Sequence, residues 1–275
     1  MTTPLSPEGM AVRWREKAMR GNGVSLHVRL VVEPSAPPAL LLHGLGVGGS
    51  VFQPFARRLL PHLAAVVPDL RGHGQSDSPL SAYALADHAA DLVELISNEL
   101  QPPVPVVGHS LGALVGLELA RLRPDVVAWL ALLDPPLDPE RPNRDIGTIY
   151  RLRHAAPGGL ETYLLGRYAG GRSEVAEILG RLFRQASDGA FEAMLAAPPY
   201  QVKPLATRTL VVQADTERGG VLGDAAAKAA VDRLGNATLV KIAGAPHALH
   251  GSHPAEVAHA ILEFGGYSSG GDSSR

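Results

Sequence analysis

Short apolar runs alternate along the chain with longer segments whose apolar residues recur every three or four positions. The runs lie near Gly, Pro or Asp residues and span Ala39–Leu42, Ala64–Val67, Val104–Val107, Val126–Leu133, Thr209–Val212 and Thr238–Ile242. Runs this short and apolar are typical of strands buried on both faces of a parallel sheet. Trp14–Arg20 and Ser25–Val32 flank the turn sequence Gly21-Asn22-Gly23 and predict a β-hairpin. The pattern therefore predicts about eight strands.

Amphipathic helices are predicted between several of these strands. Within Tyr83–Leu100, apolar residues form one helical face at spacings of three and four. Leu111–Arg123 is a second helix, which Pro124 ends, and Pro254–Phe264 is a third. Alternating strands and helices indicate an α/β fold, a mostly parallel, doubly wound sheet with helices on both faces.

The alternation breaks between residues 137 and 200. This segment contains helical stretches, clearest at Leu160–Tyr168 and Ser173–Ala186, with no strand between them. About 60 residues exceed what a strand-to-helix connection needs, so an inserted helical cap, or lid, is predicted there. Residues 1–136 and 201–275 would form the core domain. The Gly/Ser-rich segment 265–275 is expected to be a disordered tail.

Composition narrows the classes of protein. Hydrophobic residues make up 45% and charged residues 19%, which excludes a disordered chain. The net charge of −2 gives no electrostatic basis for binding nucleic acid. Without cysteine the chain has neither disulfides nor thiolate metal ligands.

No apolar run approaches the roughly 18 residues that span a bilayer, and no secretory signal is visible, so we expect a cytoplasmic protein without membrane partners. The oligomeric state stays open.

Ser110 is the candidate nucleophile. Gly108-His109-Ser110-Leu111-Gly112 matches G-x-S-x-G and lies between a predicted strand and a predicted helix. That strand–turn–helix context is what a nucleophile elbow requires. A second match, Gly266-Tyr267-Ser268-Ser269-Gly270, lies in the predicted tail without a following helix and is therefore expected to be inert.

A serine nucleophile needs a general base and an oxyanion hole. His247 follows the last predicted strand and therefore lies on the same rim of the sheet as Ser110; His250 and His253 are competitors further from the strand end. The glycine turn His43-Gly44-Leu45-Gly46 follows a predicted central strand. The backbone N–H groups of Leu45 and Leu111 are the candidate oxyanion donors.

These motifs, together with the run Pro68-Asp69-Leu70-Arg71-Gly72-His73-Gly74-Gln75-Ser76, resemble the α/β-hydrolase superfamily over nearly the whole chain. The resemblance implies a Ser–His–acid triad in that fold, with a cap between the sixth and seventh strands. The acid remains open among three residues. Asp215 is preferred because it stands at a strand end before a glycine-rich turn; Glu217 fits the usual family spacing, and Asp134 follows the strand Val126–Leu133.

The resulting hypothesis is a serine hydrolase that cleaves carboxylic esters through an acyl-enzyme intermediate, without cofactor or metal. Its substrate would be a small ester or related acyl compound, with an apolar acyl group to match the apolar cap. The same triad could cleave a lactone or a carbon–carbon bond, or form a peracid, because fold does not fix function. A non-catalytic ligand receptor of hydrolase-like fold is the alternative from another class.

Overall fold

The computed structural model describes residues 12–33, 35–141, 144–168 and 171–267. Its strands form one eight-stranded sheet with the spatial order β1-β2-β4-β3-β5-β6-β7-β8. They are β1 (Trp14–Arg20), β2 (Ser25–Val31), β3 (Pro38–Leu42), β4 (Ala64–Pro68), β5 (Val104–His109), β6 (Val127–Leu133), β7 (Thr209–Gln213) and β8 (Ala237–Lys241). Strand β2 runs antiparallel to both of its neighbours, β1 and β4, whereas β3 to β8 run parallel to one another. The predicted fold class is confirmed.

Helices cover both faces of the sheet. They are α1 (Gln53–Ala56), α2 (Leu85–Glu99), α3 (Leu111–Leu122), α4 (Arg144–Arg153), α5 (Gly159–Arg167), α6 (Ser173–Gln185), α7 (Asp188–Ala196), α8 (Asp224–Leu234), α9 (Leu249–Ser252) and α10 (Pro254–Gly265). Side chains alternate across β3: Leu40 and Leu42 pack in the cluster that includes α2 and α3. Leu41 packs on the opposite face with Phe52 and Phe55. This period of two explains why the central strands are apolar throughout.

The segment between β6 and β7 contains α4 to α7, which share a hydrophobic cluster of their own built around Leu160, Leu164 and Phe191. Helices α5 and α6 match the predicted ones within two residues, whereas α4 and α7 had no specific prediction. We call α4 to α7 the cap. Whether the cap forms a separate, mobile lid stays a prediction.

The loop after β4 joins the cap to the core. Its Arg71 guanidinium makes a bidentate ion pair with Asp91 of α2, with N–O distances of 2.6 and 2.7 Å, and both side chains are buried. The Ser187 N–H of the cap donates to the Gly72 carbonyl at 2.7 Å, and Gln185 Nε2 donates to the Gly74 carbonyl at 2.9 Å. The cap therefore sits on a loop that a buried ion pair holds in place.

Residues 265–267, the first part of the predicted tail, are ordered. Helix α10 extends to Gly265, and the Tyr267 ring lies 5.9 Å from the His62 ring at the edge of the core cluster. Disorder from residue 265 is therefore wrong for residues 265–267, because Tyr267 finds apolar surface to cover. Residues 268–275, including the second motif serine, Ser268, lie outside the described residues. Within the described part of the chain, no helix has the length and apolar character needed to cross a membrane.

Candidate active site

Ser110 stands at a sharp turn between β5 and α3. Its φ of 53° lies in the left-handed region that non-glycine residues rarely adopt. The turn brings backbone segments so close together that a Cβ atom at Gly108 would overlap the Gly112 carbonyl. A Cβ atom at Gly112 would in turn overlap the carbonyl of Leu42. Both glycines of the motif are thus required by packing, and the strained serine is held by its surroundings.

The glycine turn after β3 approaches Ser110 from the neighbouring strand. His43 Nδ1–H donates to the Gly44 carbonyl at 2.8 Å, and its Nε2 accepts the Leu70 N–H at 2.9 Å. The C=O and N–H of a trans peptide point in opposite directions, so this contact turns the Leu45 N–H away from the His43 ring. A Cβ atom on Gly44 would lie 3.4 Å from the Ser110 Cβ, so the turn runs alongside the serine.

Leu111 supplies the second candidate amide. It is the first residue of α3, so its N–H has no acceptor within the helix. The positive end of the helix dipole also lies at this point. The predicted pair of oxyanion donors, Leu45 and Leu111, is thus located on either side of Ser110, while their role stays a prediction.

His247 is joined to Asp134. The distance between His247 Nδ1 and Asp134 Oδ2 is 2.7 Å, and Asp134 is fully buried at the end of β6 with a φ of 41°. Its carboxylate also accepts backbone N–H groups from Ala214, Val221 and Leu222. Every hydrogen-bond partner of this carboxylate is a donor, so the four contacts together fix the orientation of the side chain.

The preference for Asp215 as the partner of His247 is wrong. Asp215 is half-buried, and its two oxygens accept the N–H groups of Glu217 at 2.9 Å and Gly244 at 3.0 Å. These amides, Gly244 first, lower the pKa of Asp215. Asp215 thus ties the loop after β7 to the loop after β8. Glu217, where the usual family spacing would place the acid, is exposed in a short 3-10 turn. That spacing therefore does not identify the partner of His247 in this chain.

Two buried histidines support the loop that carries His247. His109 Nε2–H donates to the His247 carbonyl at 2.9 Å, and the His109 ring lies 4.7 Å from the His250 ring. Burial lowers the pKa of His109 well below its usual value and that of His250 to about 3, so both are neutral. The sequence offered His250 only as a competing base; the structure instead packs its ring against Phe52 at 4.6 Å. The sequence around His247 gives no indication that the His250 ring packs in an apolar pocket.

A cavity of about 410 Å³ opens above Ser110 between the rim of the sheet and the cap. Ser110 and His247 line its floor, and most of the remaining wall is apolar: Leu45, Val47, Val51, Ile146, Ile149, Val175, Ile178, Leu179, Phe183, Phe191 and Met194. Across the described residues, no group of three or more His, Asp or Glu side chains is placed to bind a metal ion.

Comparison with known proteins agrees with this architecture. The family model for the alpha/beta hydrolase family matches residues 39–260. The chain is 40% identical to lipase LipV of Mycobacterium tuberculosis over 114 residues, which cover 41% of this chain and 42% of LipV, less than half of that relative. It is 28% identical to 2-(acetamidomethylene)succinate hydrolase of Mesorhizobium japonicum over 268 residues, 88% of this chain and 91% of the relative.

Among solved structures, the enol-lactonase from Burkholderia xenovorans superposes with a TM-score of 0.77 at 21% identity, covering 90% of this chain and 99% of that one. At this identity the likeness concerns the fold alone. The sequence match over residues 39–260 carries the assignment, and the elbow at Ser110 lies inside it. The chain belongs to the alpha/beta hydrolase family.

Proposed function

We propose that this chain is a serine hydrolase of neutral carboxylic esters, with Ser110 as nucleophile, His247 as general base and Asp134 as the acid. The observation that carries the proposal is the 2.7 Å contact between a fully buried carboxylate and His247, which lines the same cavity as Ser110, a serine with a positive φ. Burying a carboxylate is energetically costly unless it is paired. Carboxylates paired in this way with a histidine are concentrated at functional sites, which supports a catalytic role for this pair.

In the proposed reaction, Ser110 Oγ attacks the ester carbonyl while His247 Nε2 takes its proton. Asp134 accepts the Nδ1–H, which leaves the Nε2 lone pair free to act as base and stabilises the imidazolium once formed. The negative charge on the carbonyl oxygen is received by the Leu45 and Leu111 N–H groups. The imidazolium then protonates the departing alkoxide, and water, activated by the same histidine, releases the acid from the acyl-enzyme.

The cavity above Ser110 favours a neutral, apolar substrate. Its described lining includes one side chain of the Asp, Glu, Lys and Arg class, Arg172. The neutral His109 and His250 add no charge to the wall. A dicarboxylate, as the name 2-(acetamidomethylene)succinate hydrolase indicates for that relative, would bring more negative charge than this wall can pair. We therefore expect esters to be hydrolysed much faster than substrates that carry carboxylates.

The test is turnover by the purified full chain of p-nitrophenyl butyrate, a butyrolactone and a succinate monoester. Ser110→Ala should lower ester turnover by roughly 10³-fold or more, as loss of a triad nucleophile does. Ser50, which lines the same cavity, provides the control: Ser50→Ala should stay within about tenfold of the wild type.

A fluorophosphonate probe should label the Ser110 peptide of the wild type and leave the Ser110→Ala variant unlabelled. Full activity of that variant would rule out the mechanism. Binding of the ester without turnover would favour a receptor, and preferred turnover of the lactone would change the substrate class.

A further inference from the structure

A second cavity of about 710 Å³ lies on the other side of α7 from the one above Ser110. The N-terminal ends of α2 and α3, the prolines that flank the cap, and α7 itself form its walls. Nothing in the proposed reaction uses this space. It is larger than the cavity above Ser110, so it can accommodate a substantial part of a ligand.

A single layer of side chains separates the two cavities. Ile146 of α4 and Met194 of α7 line both of them. Met194 is half-buried and unbranched, so its side chain can change rotamer at low cost. The second cavity is also adjacent to Ser110, because Leu111, the next residue along the chain, lines it.

The walls of the second cavity suit an apolar group. Leu114, Ala190, Ala193 and Met194 contribute apolar surface along α3 and α7. Burial lowers the pKa of His88 well below its usual value, so this lining histidine is neutral.

The acidic groups on these walls already have partners. Arg121 Nη2 lies 2.6 Å from Glu118 Oε1, and Arg141 Nε lies 3.8 Å from Asp138 Oδ2. Burial also raises the pKa of Tyr200 to about 12, so its phenol stays neutral. The described lining thus offers no uncompensated charge to a charged ligand.

We propose that the second cavity binds the distal part of a long acyl chain, which passes from Ser110 between Ile146 and Met194. This inference rests on the proposed esterase function and extends it to medium- and long-chain acyl groups. A short acyl group fits the cavity above Ser110, whereas a chain of about twelve carbons gains the additional apolar wall. Each buried methylene contributes about fourfold to binding, so two excluded methylenes correspond to about fifteenfold.

The experiment compares kcat/KM for p-nitrophenyl laurate and p-nitrophenyl butyrate in the full chain and in Ala193→Phe. Ala193 lines the second cavity but not the first, so the added ring fills only the second. We expect the laurate-to-butyrate ratio to fall about tenfold or more while butyrate turnover is kept. Ala196→Phe is the matched control, since Ala196 is exposed on the same helix and lines neither cavity.

A second variant, Met194→Ala, opens the wall and should raise the same ratio; it decides the matter if Ala193→Phe does not fold. An unchanged ratio in Ala193→Phe, or an equal fall in Ala196→Phe, overturns the inference. If the wild type hydrolyses butyrate in a Ser110-dependent manner and the ratios do not respond, only this inference fails. If it hydrolyses neither ester, the proposed function itself fails.

Discussion

Replacing Asp134 by Asn is the sharpest test of the site, because it keeps the shape of the side chain and changes only its hydrogen bonding. Oδ2 of Asp134 accepts from His247 and from the Val221 N–H, and Oδ1 accepts from the Ala214 and Leu222 N–H groups. All four neighbours are donors, whereas an amide has one oxygen and one NH₂ group. In either orientation the NH₂ group faces at least one backbone N–H.

The two orientations of the amide impair His247 differently. With NH₂ in the Oδ2 position, His247 must accept at Nδ1, so its proton moves to Nε2 and the base is lost. With NH₂ in the Oδ1 position, the tautomer survives, but a neutral amide no longer stabilises the imidazolium. We therefore expect kcat to fall by roughly 10³–10⁴, as for the equivalent change in a known triad. That loss corresponds to about 4–5 kcal/mol of barrier.

Stability should fall as well. One backbone donor without an acceptor in a fully buried site costs about 1–3 kcal/mol, which urea unfolding of Asp134→Asn can measure. Asp215→Asn is the matched control, since Asp215 also accepts two backbone N–H groups but is half-buried and does not bond His247. We expect its kcat to stay within about fivefold of the wild type, because Asn is also a good cap. A folded Asp134→Asn variant with near-normal kcat, or an inactive Asp215→Asn, would refute the assignment.

Two further predictions concern packing and pH. Gly112→Ala places a methyl group against the Leu42 carbonyl and should cost about 1–3 kcal/mol in urea unfolding, whereas Gly166→Ala, in open space on α5, should be neutral or stabilising. Burial lowers the pKa of His250 to about 3, against about 6.5 for an unfolded histidine, so below pH 6.5 the unfolded chain binds more protons and the native state loses stability. Between pH 7 and 5, the free energy of unfolding of His250→Phe should therefore fall less steeply than that of the wild type, by up to about 1.4 kcal/mol per pH unit. Equal slopes of unfolding free energy against pH in the two proteins would contradict this.

The strands were predictable because a doubly covered parallel sheet demands short runs that are apolar on every residue. The predicted ends of two strands, Val104–Val107 and Thr209–Val212, lie within two residues of the observed ends of β5 and β7. The cap was harder to predict, since α4 has a predominantly polar sequence and packs through a few positions such as Ile146 and Ile149. Helix α8 was not predicted from the sequence for a related reason. Its buried face consists mainly of alanines, which give a weak periodic pattern of hydrophobicity.

Ser110 and His247 were predictable because their positions depend on topology alone: residues that follow parallel strands meet at one rim. Which carboxylate contacts His247 depends instead on the direction in which each loop leaves its strand. At Asp134 a left-handed φ of 41° turns the side chain toward His247, and no sequence rule anticipates that conformation for an aspartate before two prolines.

Asp215 was misleading because an aspartate before a tight turn has a second use, capping nearby backbone N–H groups, and a glycine-rich loop presents such groups readily. Solvation separates the two candidates. Asp134 directly follows the seven-residue apolar strand β6, where an ionised carboxylate is tolerated only with donors on every side, whereas Asp215 stands beside polar residues and can remain half-solvated. Of two carboxylates that follow buried strands, the fully buried one is thus the better candidate for the acid, since only a site that compensates its charge can keep it there.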